Sequence, residues 1–190
     1  RSIEGADNVW NATSDTNNYS TALHYYGTGF CLTAQNPQSI SNLKFISRSG
    51  DQSQCGLQIS AAQGAIFSGI ETLNFGTIGI QVGYPTNAGR ACYFCTFLNI
   101  NVYNATDGQY GIIFEGAGIQ NSSGHICNNV FVKGVYKYFI DIRGQTNVLL
   151  GGDCEPNYTG GSQPYNWITS LLRFSGVANK VINQIGRAHV

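Results

Sequence analysis

Methionine is absent from the 190 residues, lysine and glutamate are scarce, and only 11% of the chain is charged. Helical proteins draw heavily on Ala, Leu, Glu, Lys and Met, so this shortage argues against a helical fold. Ten basic and ten acidic residues cancel. No net field points to nucleic acid or to an anionic membrane. No apolar run approaches the roughly 18 residues that a spanning helix needs, and no charged-then-apolar leader stands at the front. What is abundant is Gly, with 24 residues, together with Asn, Ser, Thr and 12% aromatics. That mixture suits strands joined by Gly and Asn turns.

Two short patterns repeat. The first is apolar-x-apolar, often beside Gly: Phe30-Cys31-Leu32, Leu57-Gln58-Ile59, Ile80-Gln81-Val82, Ile112-Ile113-Phe114, Ile140-Asp141-Ile142 and Leu172-Arg173-Phe174. Their central residues lie 27, 23, 32, 28 and 32 apart. The second falls between them, usually after Asn or Thr: Leu43-Lys44-Phe45, Leu73-Asn74-Phe75, Ile100-Asn101-Val102, Val130-Phe131-Val132 and Val148-Leu149-Leu150. Alternation at period two puts the outer pair of each triplet on one face and the middle residue on the other. One triplet cannot bury its apolar face alone, so equivalent strands must stack at about 4.8 Å per rung. The expected fold is all-β: a single-stranded parallel β-helix of about six rungs. A β-sandwich is the competing architecture, but it lacks this two-class alternation.

The stretches Gly27-Thr28-Gly29-Phe30-Cys31-Leu32, Ile40-Ser41-Asn42-Leu43-Lys44-Phe45 and Asn147-Val148-Leu149-Leu150-Gly151-Gly152-Asp153 carry a resemblance in rung style. They resemble the right-handed parallel β-helices of bacteriophage tailspikes and pectate-lyase-like proteins, over about residues 27–183. The resemblance implies a homotrimeric, polysaccharide-facing protein of a virion tail, with secretion as the alternative location. Residues 1–26 fit no rung and read as an irregular lead-in, and residues 27–184 as the β-helix. Residues 185–190, Ile-Gly-Arg-Ala-His-Val, match the translation of a sequencing-adapter oligonucleotide and are expected to be a scar outside the fold.

Cys92-x-x-Cys95 has no second cysteine pair or nearby histidine to complete a metal set, and no βαβ unit surrounds it. Neither a metal nor a cofactor is therefore expected, and a small buried apolar role is expected for most of the six cysteines. His24 and His125 lack a nucleophile context.

Residues 151–167 read as a long connection that carries Asp153, Glu155, Tyr158, Tyr165 and Trp167. Its aromatic rings suit stacking on sugars, and paired carboxylates are what glycoside hydrolysis needs. The alternative for Asp153 and Glu155 is a turn ordered by backbone N–H bonds. Glu115 and Asp141 form a second candidate acidic pair across adjacent rungs. Arg173, one rung beyond Asp141, favours a salt bridge there. Phe131 and Leu149, both read as outward, would make an apolar patch buried between subunits.

Three functions remain open on sequence grounds. The first is a phage tailspike or tail-fibre segment that binds bacterial surface polysaccharide, with or without depolymerising it. The second is a secreted pectate-lyase-like enzyme, and the third is a non-catalytic adhesin or spike segment.

Overall fold

The computed structural model describes residues 2–4, 22–49, 53–84, 90–117, 120–156, 170–182 and 185–186. Among them there is no α-helix, and none long and apolar enough to cross a membrane. The strands run β1 (Ser2–Glu4), β2 (Ala22–Tyr25), β3 (Phe30–Gln35), β4 (Ser39–Ser47), β5 (Cys55–Ser60), β6 (Ile66–Leu73), β7 (Ile78–Val82) and β8 (Thr96–Phe114). They continue as β9 (Gly116–Ala117), β10 (Gln120–Asn121), β11 (Ile126–Ile142), β12 (Val148–Pro156), β13 (Ser170–Phe174), β14 (Lys180–Ile182) and β15 (Ile185–Gly186). Apart from the antiparallel pair of β9 and β10, every pairing between these strands is parallel.

This is a parallel β-solenoid. The expected six rungs resolve into about four complete turns, with partial turns at either end. Residues 2–4 and 22–25, from the expected lead-in, pair with β4, and Ile185–Gly186 pairs with Asp153–Cys154.

Each turn carries three strand segments. A left-handed corner separates the first from the second, occupied in successive turns by Asn42, Gly69, Asn99, Asn129 and Gly151, all with φ between 54° and 65°. Glycine or asparagine is what that conformation favours. At Gly69 there is a further reason, because an added Cβ would sit 2.6 Å from Asn42 Oδ1. Asn129 Nδ2 donates to Asn99 Oδ1 at 3.2 Å, so the corners also bond to one another.

The core is a set of vertical columns. On the first segment Ile40, Phe67, Phe97, Cys127 and Leu149 stack inward, in register through β4, β6, β8, β11 and β12. On the third, Leu57, Ile80, Ile112 and Ile140 do the same. Gly79 and Gly111 let this third segment press against the second. A Cβ at either would lie 2.4 Å from Val102 Cγ1 or 2.3 Å from Val132 Cγ1. Nearly all the expected inward residues are buried, but at the top of the stack Leu172 is only partly buried and Phe174 is 39% exposed.

Three register expectations need correction. Leu57 pairs with Leu32, so Leu32-Thr33-Ala34 is the first triplet of the third segment, two residues later than expected. The partner of Leu43-Lys44-Phe45 is Ile70-Glu71-Thr72 and not Leu73-Asn74-Phe75; Thr72 stands where the apolar-x-apolar pattern calls for an apolar residue. Val148 pairs with Ile126, which turns Leu149 into the core at 1% exposure. Phe131 therefore neighbours Asn101 and Asp153, and the apolar Phe131–Leu149 patch does not exist.

Polar side chains also stack inside. Asn179 Oδ1 accepts from Asn147 N–H at 2.8 Å, Asn147 Oδ1 from His125 N–H at 3.0 Å, and His125 Nδ1 from Cys95 N–H at 3.2 Å. The column satisfies main-chain donors at the turn where strand pairing is interrupted.

Two substitutions test this register. Ile112→Asp puts a lone carboxylate in the core and should cost several kcal/mol, enough to prevent folding. Ile66→Asp, at a position 50% exposed on the outside, should leave a folded protein by circular dichroism.

Candidate functional site

The outer side of the third segment holds the densest polar cluster. Its middle column runs Thr33, Gln58, Gln81, Ile113, Asp141 and Arg173, one residue per turn. Glu115 and Arg143 follow two residues beyond Ile113 and Asp141, and Arg143 N–H donates to Phe114 C=O at 3.0 Å. Much of this side is buried: Gln58, Gln81, Ile113, Glu115 and Asp141 all lie at 6% exposure or less. Cys55, Ile78 and Ile113 form a small apolar cluster there, separate from the main core, with Phe30 and Tyr110 packed against it.

Buried polar groups on that side are joined in a chain. Gln58 Nε2 donates to Gln81 Oε1 at 3.0 Å, and Gln81 Nε2 to Glu115 Oε1 at 2.9 Å. Arg143 Nη1 reaches Glu115 Oε2 at 3.1 Å while its Nε reaches Asp141 Oδ2 at 2.9 Å. Arg173 bridges Asp141 through Nε, at 2.8 Å from Oδ1, and through Nη2 to Oδ2. The salt bridge expected between Asp141 and Arg173 is present. Arg143, which the sequence reading did not single out, stands between the two carboxylates.

Two tyrosines complete the cluster. Tyr110 and Tyr138 are register partners on β8 and β11, and their rings stack at 5.3 Å and 15°. Arg143 donates to the Tyr110 hydroxyl at 3.1 Å, and the Arg173 guanidinium carbon lies 3.9 Å from the Tyr138 ring centroid. Hydrogen bonds to Asp141 hold Arg173 above the ordinary arginine value. For Arg143 partial burial opposes the charge, but Glu115 and Asp141 outweigh it. Both guanidiniums stay cationic and are about one third exposed, at 29% and 33%.

The other candidates separate. Asp153 and Glu155 lie on β12, so they belong to a strand rather than to a turn or loop. Cys154 between them packs into the core. Glu155 pairs with Lys133 at 2.8 Å, both about one third exposed. Asp141 and Glu115 are on the third segment, so the two acidic pairs occupy different sides of the coil. Tyr158, Tyr165 and Trp167 fall outside the described residues.

No disulfide joins any of the six cysteines. Burial pushes the Cys31 thiol up to about 11 and Cys92 to about 12, and raises Cys55, Cys95 and Cys127 as well. Thiols so held make poor nucleophiles. Among the described residues no group of three His, Cys, Asp or Glu could hold a metal ion.

No protein-family model, curated protein or solved structure matches the chain.

Two predictions follow the electrostatics. Asp141→Ala leaves Arg173 without its anion and Arg143 with Glu115 alone, and should cost about 2–3 kcal/mol in urea unfolding. That is below the loss for a fully buried pair because the arginines reach solvent. Glu155→Gln, at a surface pair, should cost less than about 1 kcal/mol.

A further prediction concerns His125, whose ring sits against Phe97 and Phe114, 5.8 and 5.4 Å between centroids. Burial lowers its value to about 4, against about 6.5 in an unfolded chain. Between these values the unfolded state binds the extra proton. Its contribution to stability is therefore complete above pH 6.5 and is lost as pH falls towards 4, by up to about 3 kcal/mol. His125→Asn keeps an acceptor for Cys95 and should flatten that part of the stability profile.

Proposed function

We propose that this chain is a polysaccharide-binding β-solenoid segment of the tailspike type, which holds a bacterial surface glycan on the outside of its third strand segment. The observation that carries the reading is the Tyr110–Tyr138 stack with Arg143 and Arg173 beside it. Tyrosine rings offer an apolar face to the C–H face of a sugar, and their edges remain polar. Guanidinium N–H groups supply directional donors to sugar oxygens.

Binding without cleavage is the better form of this reading. Glycosidases need one carboxyl group free to give a proton and another free to attack or to activate water. Here Arg143 bridges Glu115 and Asp141, and Asp141 is fully buried. Glu155 is likewise tied to Lys133. A virion-tail location and a homotrimer belong to the same proposal through the resemblance in rung style alone. Light scattering of the chain tests the trimer.

Equilibrium binding to a panel of capsular and O-antigen polysaccharides tests the main claim. At least one should bind, and Tyr138→Ala should weaken it about fivefold or more, the loss of one aromatic contact. No reducing ends should be released, and Glu115→Gln should change neither readout greatly. Reducing-end release that Glu115→Gln abolishes would replace binding with hydrolysis. A full effect of Trp167→Ala with none of Tyr138→Ala would move the site to Tyr158, Tyr165 and Trp167.

A further inference from the structure

The arrangement of charge around Asp141 points to one kind of sugar. The anions lie beneath: Asp141 at 0% exposure and Glu115 at 5%. The cations lie above them at the surface. Although the four charges sum to zero, a ligand arriving from solvent meets the guanidiniums first, and nearer charges dominate the local field.

Donor use tells the same story. Arg143 directs Nε to Asp141, Nη1 to Glu115 and Nη2 to Tyr110. Arg173 directs Nε and Nη2 to Asp141. A guanidinium has five N–H donors, so each arginine keeps some for a ligand. Arg173 is held face-on to Tyr138, and its centre lies 6.0 Å from the Tyr110 centroid. The buried carboxylate thus fixes both cations before any ligand arrives, which lowers the ordering cost of binding.

We propose that Arg143, Arg173 and the Tyr110–Tyr138 pair form a site for an acidic sugar residue. The arginines take its carboxylate and the tyrosines take its ring. This inference rests on the saccharide-binding reading and adds the charge of the ligand to it. Carboxylate–guanidinium bonds are charge-assisted and stronger than those to a neutral hydroxyl. A neutral sugar would meet the same donors through weaker hydrogen bonds to its hydroxyl oxygens.

The test compares a carboxylated capsular polysaccharide with the same polymer after its carboxyl groups are reduced to primary alcohols, each titrated into the full chain. The acidic polymer should bind at least about tenfold more tightly, with an affinity that falls as salt rises. Arg173→Lys, folded by thermal unfolding, should weaken the acidic polymer several-fold more than the reduced one and so remove most of that difference. The comparison on the unaltered chain stands even if that variant does not fold. Equal affinity for both polymers overturns the acidic-sugar site and leaves the saccharide reading intact, whereas binding of neither overturns both. Displacement of the acidic polymer by acetate at the sugar's own concentration would overturn the proposal too, since the ring would then contribute nothing.

Discussion

Everything in this molecule depends on parallel main-chain pairing in register, turn upon turn, at a spacing of about 4.8 Å. Each side chain then has its counterpart directly above and below, so a residue choice is repeated or compensated along a column. Apolar columns repeat, as in Leu57, Ile80, Ile112 and Ile140. Interior polar groups must complement one another, which Cys95, His125, Asn147 and Asn179 do by passing hydrogen bonds from turn to turn. The same constraint governs charge. Asp141 is buried on the outer side, and its counter-ions come from the next turn at Arg173 and from two residues on at Arg143.

That repetition is why much of the fold was legible. The third segment shows itself as apolar-x-apolar bounded by glycine, and its register from Leu57 to Phe174 is the one the spacing predicts. Asp141 over Arg173 follows from it directly. The second segment was harder to place, because Ile70-Glu71-Thr72 breaks the apolar pattern while the nearby Leu73-Asn74-Phe75 imitates it. The left-handed corner adds a residue between segments. Its Asn and Gly occupants look in the sequence like any other turn residue. That extra residue is what reverses the faces at Val148-Leu149-Leu150.

The site was legible only in part. Glu115 and Asp141 stood out as carboxylates at outward positions, but Arg143 lies one residue beyond the end of β11 and outside any triplet. Its signal was parity: residues 141 and 143 share a face of an extended chain. Tyr110 and Tyr138 carried no such signal: two residues ahead of the inward Ile112 and Ile140, parity alone puts them inside, yet Tyr110 packs against the outer cluster. Burial of Gln58 and Gln81 had no sequence signature, since alternation distinguishes inside from outside and not covered from uncovered. The outcome for function is that the carboxylates act as anchors. Asp141 and Glu115 hold two arginines beside a tyrosine pair, and it is these partly exposed groups that reach solvent.

The most direct measurement of this account is a nuclear magnetic resonance titration of the chain with an acidic oligosaccharide, following the arginine Nε–H and tyrosine ring signals. The account predicts shifts concentrated at Arg143, Arg173, Tyr110 and Tyr138, with the Ile66 and Ile126 methyl groups of the first segment unmoved. Shifts centred on Asp153, Glu155 and Lys133, or none at the arginines under saturating oligosaccharide, would contradict it.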